Sequence, residues 1–171
     1  DFLNFCGADI NGAGGSTVVI HGKEKLHGTH YSVMPDRIVA VSYLAAAAVT
    51  GSELTVSNAC PGHIGTVLSA FEQSGCRFNY EKNKIKINPP RRLHKMGTIR
   101  TMPYPGFPTD AQAPVMAMLT VAQGTSVIVE NIFENRFCYT AELSRMGADI
   151  KTQGKIAVIE GVKKLGGATL Y

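Results

Sequence analysis

Three stretches alternate apolar with polar residues in the manner of a strand wet on one face: "ELTVSNA" from Glu53, "NKIKIN" from Asn83 and "VIVEN" from Val127. Two longer stretches do the opposite. "RIVAVSYLAAAAV" from Arg37 and "AQAPVMAMLTVA" from Ala111 are apolar on nearly every face, the mark of a buried helix rather than an amphipathic surface one. The pattern predicts an α/β chain with helices in its core and sheets outside, the reverse of an ordinary doubly wound domain. Pro114 falls inside the second of these helices, where proline is costly beyond the first turn, so a bend or a late start is expected there.

The elements recur. "FLNFCGADI" from Phe2, "AFEQSGCRF" from Ala70 and "ELSRMGADI" from Glu142 each carry apolar residues at helical spacing, a glycine able to close a helix (Gly7, Gly75, Gly147), and a strand start. Each is followed by a strand, a tight turn and a leucine: Leu26, Leu93 and Leu165. The segment from Pro35 also matches the segment from Pro108, a shift of 73 residues that Gly51 and Gly124 repeat. The chain therefore divides into half a unit over 1–30 and whole units over 31–98 and 99–171. A whole unit reads strand, helix, strand, helix, strand, strand, or βαβαββ.

Composition narrows the class. With 171 residues, 44% hydrophobic and 18% charged, there is material for one globular domain or somewhat more. No run approaches the roughly 18 apolar residues of a membrane span, and "DFLNFCGADI" lacks the pattern of a signal peptide, so a cytoplasmic location is expected. The net charge of +4 suits an anionic small substrate and is too weak for nucleic acid. Cys6, Cys60, Cys76 and Cys138 have no C-x-x-C or metal-like spacing and are expected as reduced thiols in apolar surroundings. The five histidines form no H-x-x-H pattern, so neither a metal nor a cofactor is expected.

Two stretches stand out as candidate chemistry. "PYPGFPTD", Pro103 to Asp110, spends three prolines and a glycine on delivering a carboxylate to a helix start, whereas the first unit makes the same turn with "YSVMPD". The extra residues are not required by the fold, which points to a functional loop. The alignment pairs Thr109 with Asp36, both good N-caps, and makes Asp110 the first helical residue. The second stretch is Ile132-Phe133-Glu134-Asn135-Arg136, at a strand end where α/β folds place ligands; its plain alternative is a surface pair of Glu134 with Arg136. Other signals are discounted. "GAGGS" from Gly12 precedes a strand and reads as a hairpin turn, and "PPRRLHK" from Pro89 reads as a solvated turn between strands.

"PYPGFPTDAQA", "IFENRF", "ELSRMGA", "GTHYSVMPDRI", "AAAAVTG" and "GVKKLGGA" together resemble the UDP-N-acetylglucosamine 1-carboxyvinyltransferase family, over essentially the whole chain. The resemblance implies an inside-out α/β barrel of the enolpyruvyl transferase type, with two domains of three βαβαββ units. It implies transfer of the enolpyruvyl group of phosphoenolpyruvate to UDP-N-acetylglucosamine, with Asp110 as proton acceptor. Thr109, Asp110, Ile132, Phe133 and Arg136 are the implied substrate-binding residues, Phe133 lying near the uracil or sugar. The family's loop with a reactive cysteine, its early Lys-Asn pair and its late phosphoenolpyruvate-holding arginines have no counterpart here. "ACPGHIGT" around Cys60 lacks the arginine and falls in the wrong unit. The chain is thus expected to cover about two and a half of six units, to act with the remainder of the same enzyme, and to be inactive alone. Two other readings stand beside this one: a non-catalytic nucleotide-sugar-binding or interaction module, and a 5-enolpyruvylshikimate 3-phosphate synthase, whose signatures the two motifs are not.

Overall fold

A computed structural model describes residues 1–170 and divides the chain into two compact units, residues 1–35 and the remainder from Asp36. In the first, α1 (Phe2–Phe5) leads into the antiparallel pair β1 (Asp9–Asn11) and β2 (Val19–His21). The Asn4 amide clasps Ile10, donating to its carbonyl at 2.7 Å and accepting from its N–H at 2.9 Å. Phe2 and Phe5 meet Tyr31 edge-on at 5.5 and 5.3 Å. Cys6 is the buried residue among those described in this unit.

The second unit begins with α2 (Arg37–Thr50), held at its start by Asp36, whose carboxylate accepts from the Ile38 and Val39 amides at 2.7 and 3.3 Å. Gly51, in the left-handed region, closes it. Then come β3 (Leu54–Ser57), a 3₁₀ turn at Pro61–His63, α3 (Gly65–Gln73), β4 (Arg77–Glu81) and β5 (Lys84–Asn88), forming an antiparallel sheet in the order β3-β5-β4. There follow β6 (Thr98–Arg100), α4 (Gln112–Leu119), β7 (Thr125–Val129), α5 (Thr140–Arg145), β8 (Asp149–Gln153) and β9 (Ile156–Glu160), whose four strands form one sheet. Its order is β6-β7-β9-β8, with β6 and β7 parallel. Ile85 and Ile87 of β5, Ile128 of β7, and Ala157 and Ile159 of β9 turn inward against α2 and α4 to make one core with Leu44, Phe71, Met116 and Leu119. The mixed α/β class expected from the pattern is what forms.

The repeat carries a common set of backbone bonds. Gly7, Gly75 and Gly147 all lie at positive φ, between 91° and 93°. After each, the next amide reaches back to the helix: Ala8 to Leu3, Cys76 to Phe71 and Ala148 to Leu143, the Schellman closure that needs an αL residue. The residue after each repeat leucine then donates to the one before each glycine: His27 to Cys6, His94 to Ser74 and Gly166 to Met146, at 2.9, 3.0 and 2.7 Å. Those bonds give the leucine spacing a physical cause.

Three expectations change. Residues 29–36 form no strand and are exposed apart from half-buried Tyr31 and Pro35, so with no apolar face to bury, the copy over 31–98 lacks the leading strand that β6 supplies in the next. "PPRRLHK" is not a hairpin turn, because β4 and β5 are joined across Lys82 and Asn83. It runs on toward β6, pinned by the Gln123 amide donating to the Leu93 carbonyl. Arg91 and Arg92 line, with Lys163, a cavity of about 540 Å³ at the Gly51 end of α2. Thr109 does not cap α4. A 3₁₀ turn at Thr109–Ala111 precedes that helix, which places Pro114 in its first turn, so the late start is observed.

Candidate active site

Because β6 and β7 are parallel neighbours, their carboxyl ends lie side by side, and the segments that leave them emerge at one edge of the sheet. The Thr101 N–H donates to the Val129 carbonyl at 3.0 Å, extending the ladder to the roots of both segments. The loop after β6 is closed by Met102 N–H to Phe107 O at 2.9 Å and by Gly106 N–H to Pro103 O at 2.8 Å. Gly106 is needed for that closure, since a Cβ there would lie 2.5 Å from Met102 Cβ. Phe107 plugs into the core, while Tyr104 stays exposed with the Arg37 guanidinium 5.2 Å from its ring.

Asp110 and Arg136 meet directly: one carboxylate oxygen of Asp110 accepts from Arg136 Nη2 at 2.9 Å. Arg136 also lies 5.5 Å from the centre of the Phe133 ring. The pair is Asp110 with Arg136, not Glu134 with Arg136. Both side chains are well exposed, 58% for Asp110 and 40% for Arg136, and an ion pair so placed contributes about 1 kcal/mol or less to stability. Ile132 and Phe133 stand exposed beside it, and Asn135 makes the turn at positive φ. All five residues singled out in the sequence thus gather at one edge.

Beneath them lies a group the sequence reading passed over. Glu130 is 1% exposed and accepts five hydrogen bonds. Its Oε1 takes the Thr101 hydroxyl at 2.9 Å and the Ile132 and Phe133 amides at 2.8 and 3.0 Å. Its Oε2 takes the Thr109 hydroxyl at 2.9 Å and Gln112 Nε2 at 2.6 Å. Gln112 in turn accepts from the Tyr139 hydroxyl at 2.8 Å, and Thr101 Oγ1 accepts from the Asn131 amide at 2.8 Å. Burial pushes the Glu130 carboxyl up, but the Phe133 and Ile132 amides and the Thr109 and Thr101 hydroxyls outweigh it and hold it below its ordinary value. Burial pushes the Tyr139 hydroxyl up, aided by Glu130 and opposed by Arg136, so it remains a donor to Gln112.

The missed signal was in the alternation. Ser126, Ile128 and Glu130 occupy the buried face of β7 and its extension, and a carboxylate on such a face must find partners. Of the cysteines, all free, Cys6 and Cys76 are buried as expected, whereas Cys60 is half-buried and Cys138 is exposed. The basic cavity is remote from the site, at the far end of a 14-residue helix about 21 Å long. Its cations face the carbonyl end of α2, where the helix dipole favours positive charge. Among the described residues, no helix is long and apolar enough to cross a membrane.

Comparison with known proteins shows the family. The family model for EPSP synthase (3-phosphoshikimate 1-carboxyvinyltransferase) matches residues 1–171. A UDP-N-acetylglucosamine 1-carboxyvinyltransferase 2 of Caldanaerobacter subterraneus is 51% identical over 168 residues, 98% of this chain and 40% of its own length. A UDP-N-acetylglucosamine 1-carboxyvinyltransferase of Prochlorococcus marinus is 50% identical over 97% of this chain and 38% of its own length. The chain thus spans about two fifths of the length of these curated relatives. Among solved structures, the enolpyruvyl transferase NikO from Streptomyces tendae superposes with a TM-score of 0.80 at 24% identity, covering 92% of this chain and 38% of that one. EPSP synthase from Acinetobacter baumannii gives 0.70 at 22% identity, covering 96% and 40%. At those identities the structural likeness speaks for the fold alone.

Proposed function

Since the chain belongs to the EPSP synthase (3-phosphoshikimate 1-carboxyvinyltransferase) family, we propose that it is part of a cytoplasmic enzyme that transfers the enolpyruvyl group of phosphoenolpyruvate to the 3-hydroxyl of UDP-N-acetylglucosamine, the first committed step of peptidoglycan synthesis. The observation that carries the reading is the Asp110–Arg136 pair at the carboxyl ends of two parallel strands, with Ile132 and Phe133 exposed beside it. The choice of sugar acceptor rests on the names of relatives 46–51% identical. In this reading the repeat units, a half over 1–30 and fuller ones over 31–98 and 99–171, belong to an inside-out α/β barrel.

The chemistry assigns roles. The sugar hydroxyl attacks C2 of phosphoenolpyruvate and gives its proton to Asp110, while an acid protonates the methylene carbon; the resulting ketal then loses phosphate and a proton from the new methyl group. Ile132, Phe133 and Thr109 line the nucleotide-sugar side. Arg136 is the cation in reach of the anionic co-substrate, and its weak pair with Asp110 is readily exchanged for a ligand. The acid, the loop cysteine and the remaining cations come from the rest of the enzyme, so the 171 residues alone are expected to give no turnover.

The test is phosphate release from phosphoenolpyruvate in the presence of UDP-N-acetylglucosamine, for the complete enzyme and for this chain. Release by the complete enzyme and none by the chain above a no-protein blank is the expected result. Binding of the nucleotide sugar by the complete protein without release would instead support a non-catalytic module, and release only with shikimate 3-phosphate would move it to the synthase branch.

A further inference from the structure

Asp110 and Arg136 cannot hold themselves in place: their ion pair is exposed and weak. What they stand on is the carboxylate of Glu130, which bonds to both segments of the site. One oxygen holds Thr109 and Gln112, flanking Asp110 in the chain; the other holds the Ile132 and Phe133 amides, four and three residues before Arg136. We propose that Glu130 is a positioning residue for carboxyvinyl transfer, a buried two-sided clamp whose span sets Asp110 against the substrate-facing edge formed by Ile132, Phe133 and Arg136. The proposal rests on the functional reading above.

The reach of the side chain and its charge make different demands, and the hydrogen-bond inventory separates them. Glu130→Gln keeps the reach. Its carbonyl oxygen can still accept from Thr101 and the two backbone amides. Its NH₂ can face Gln112 if that amide turns over to accept, with Tyr139 turning its hydroxyl to receive the freed Gln112 NH₂ and Thr109 turning to accept. Glu130→Asp keeps the charge but is one methylene shorter, so one carboxylate cannot meet Thr109 and Gln112 on one side and the Ile132 and Phe133 amides on the other.

A clamp therefore predicts that the shape-conserving variant is tolerated and the charge-conserving one is not. In the complete enzyme, Glu130→Asp should lower kcat by about 10²-fold, the scale of a misplacement of about 1 Å, with a smaller change in KM for UDP-N-acetylglucosamine. Glu130→Gln should lose no more than about fivefold, the scale of weakening charge-assisted bonds without breaking the constellation. Full activity in Glu130→Asp, or equal loss in both variants, would overturn the proposal, since the first makes reach irrelevant and the second makes charge the essential property.

Amide hydrogen exchange in the 171-residue chain gives a readout that needs no activity. Ile132 and Phe133 should exchange about tenfold faster in Glu130→Asp and near the wild-type rate in Glu130→Gln. Unchanged exchange in Glu130→Asp would count against the clamp. If the unsubstituted complete enzyme shows no transfer, the functional reading fails while this exchange contrast still decides whether Glu130 joins the two segments.

Discussion

Asp36 and Thr109 occupy the same position of the repeat and serve different ends. Asp36 caps α2, and its loss in Asp36→Ala should cost about 1 kcal/mol, read as a lower urea midpoint with unchanged slope. The Thr109 hydroxyl is turned away from its own helix toward Glu130, leaving Asp110 to face outward. In the complete enzyme, Asp110→Asn should preserve the fold and cut turnover by about 10²-fold or more, the scale of losing a positioned base. Near wild-type turnover with only a raised KM would make Asp110 a binding residue. Glu130 adds a pH dependence with a definite sign. Its carboxyl is held below its ordinary 4.5 in the folded chain, so its ionised form stabilises the fold above that value. That contribution is lost as pH falls through the depressed value. The wild-type stability should therefore drop more between about pH 7 and about pH 3 than that of Glu130→Gln, measured by urea unfolding.

At the scale of elements, glycines decide how neighbouring pieces approach. Gly161, just past β9, donates to the Gly124 carbonyl at 3.2 Å, and a Cβ on it would collide with the carbonyl of Ala122. The collision is with backbone and cannot be relieved by a rotamer change, so Gly161→Ala should cost about 2 kcal/mol or more. Gly97, also outside the positive-φ region, has nothing within 4 Å of its missing Cβ, and Gly97→Ala is expected to be near neutral. Paired thermal melts of the two variants check this; equal shifts would mean that close approach is not what Gly161 is for.

At the scale of the whole molecule, the residues from 36 on hold nearly the entire core, whereas residues 1–35 bury little beyond Cys6. In the 171-residue chain, the amides of Ile10 and Ile20 should exchange at least about tenfold faster than those of Ala47 and Ala48, because few apolar contacts oppose their opening. Equal protection would show that residues 1–35 are stabilised by something other than their own packing.

Periodicity and self-similarity determined much of this from the sequence. The all-round burial of α4, the half-wet strands and the glycines at matching helix ends were legible, because local propensity and repetition act along the chain, whereas α2 buries one face only and leaves Val39, Tyr43 and Val49 exposed. What lay outside reach were relations between positions distant in sequence and adjacent in space. Whether Arg136 pairs with Glu134 or Asp110, and whether Thr109 caps its helix or feeds a carboxylate 21 residues away, depends on which strands are neighbours. β6 lies parallel to β7, so two loops share an edge, and a glutamate that looks like one more polar residue in an alternating strand becomes the buried acceptor for both. Its partners come from Thr101 through Phe133, and only the tertiary fold brings five donors within 3.0 Å of one carboxylate.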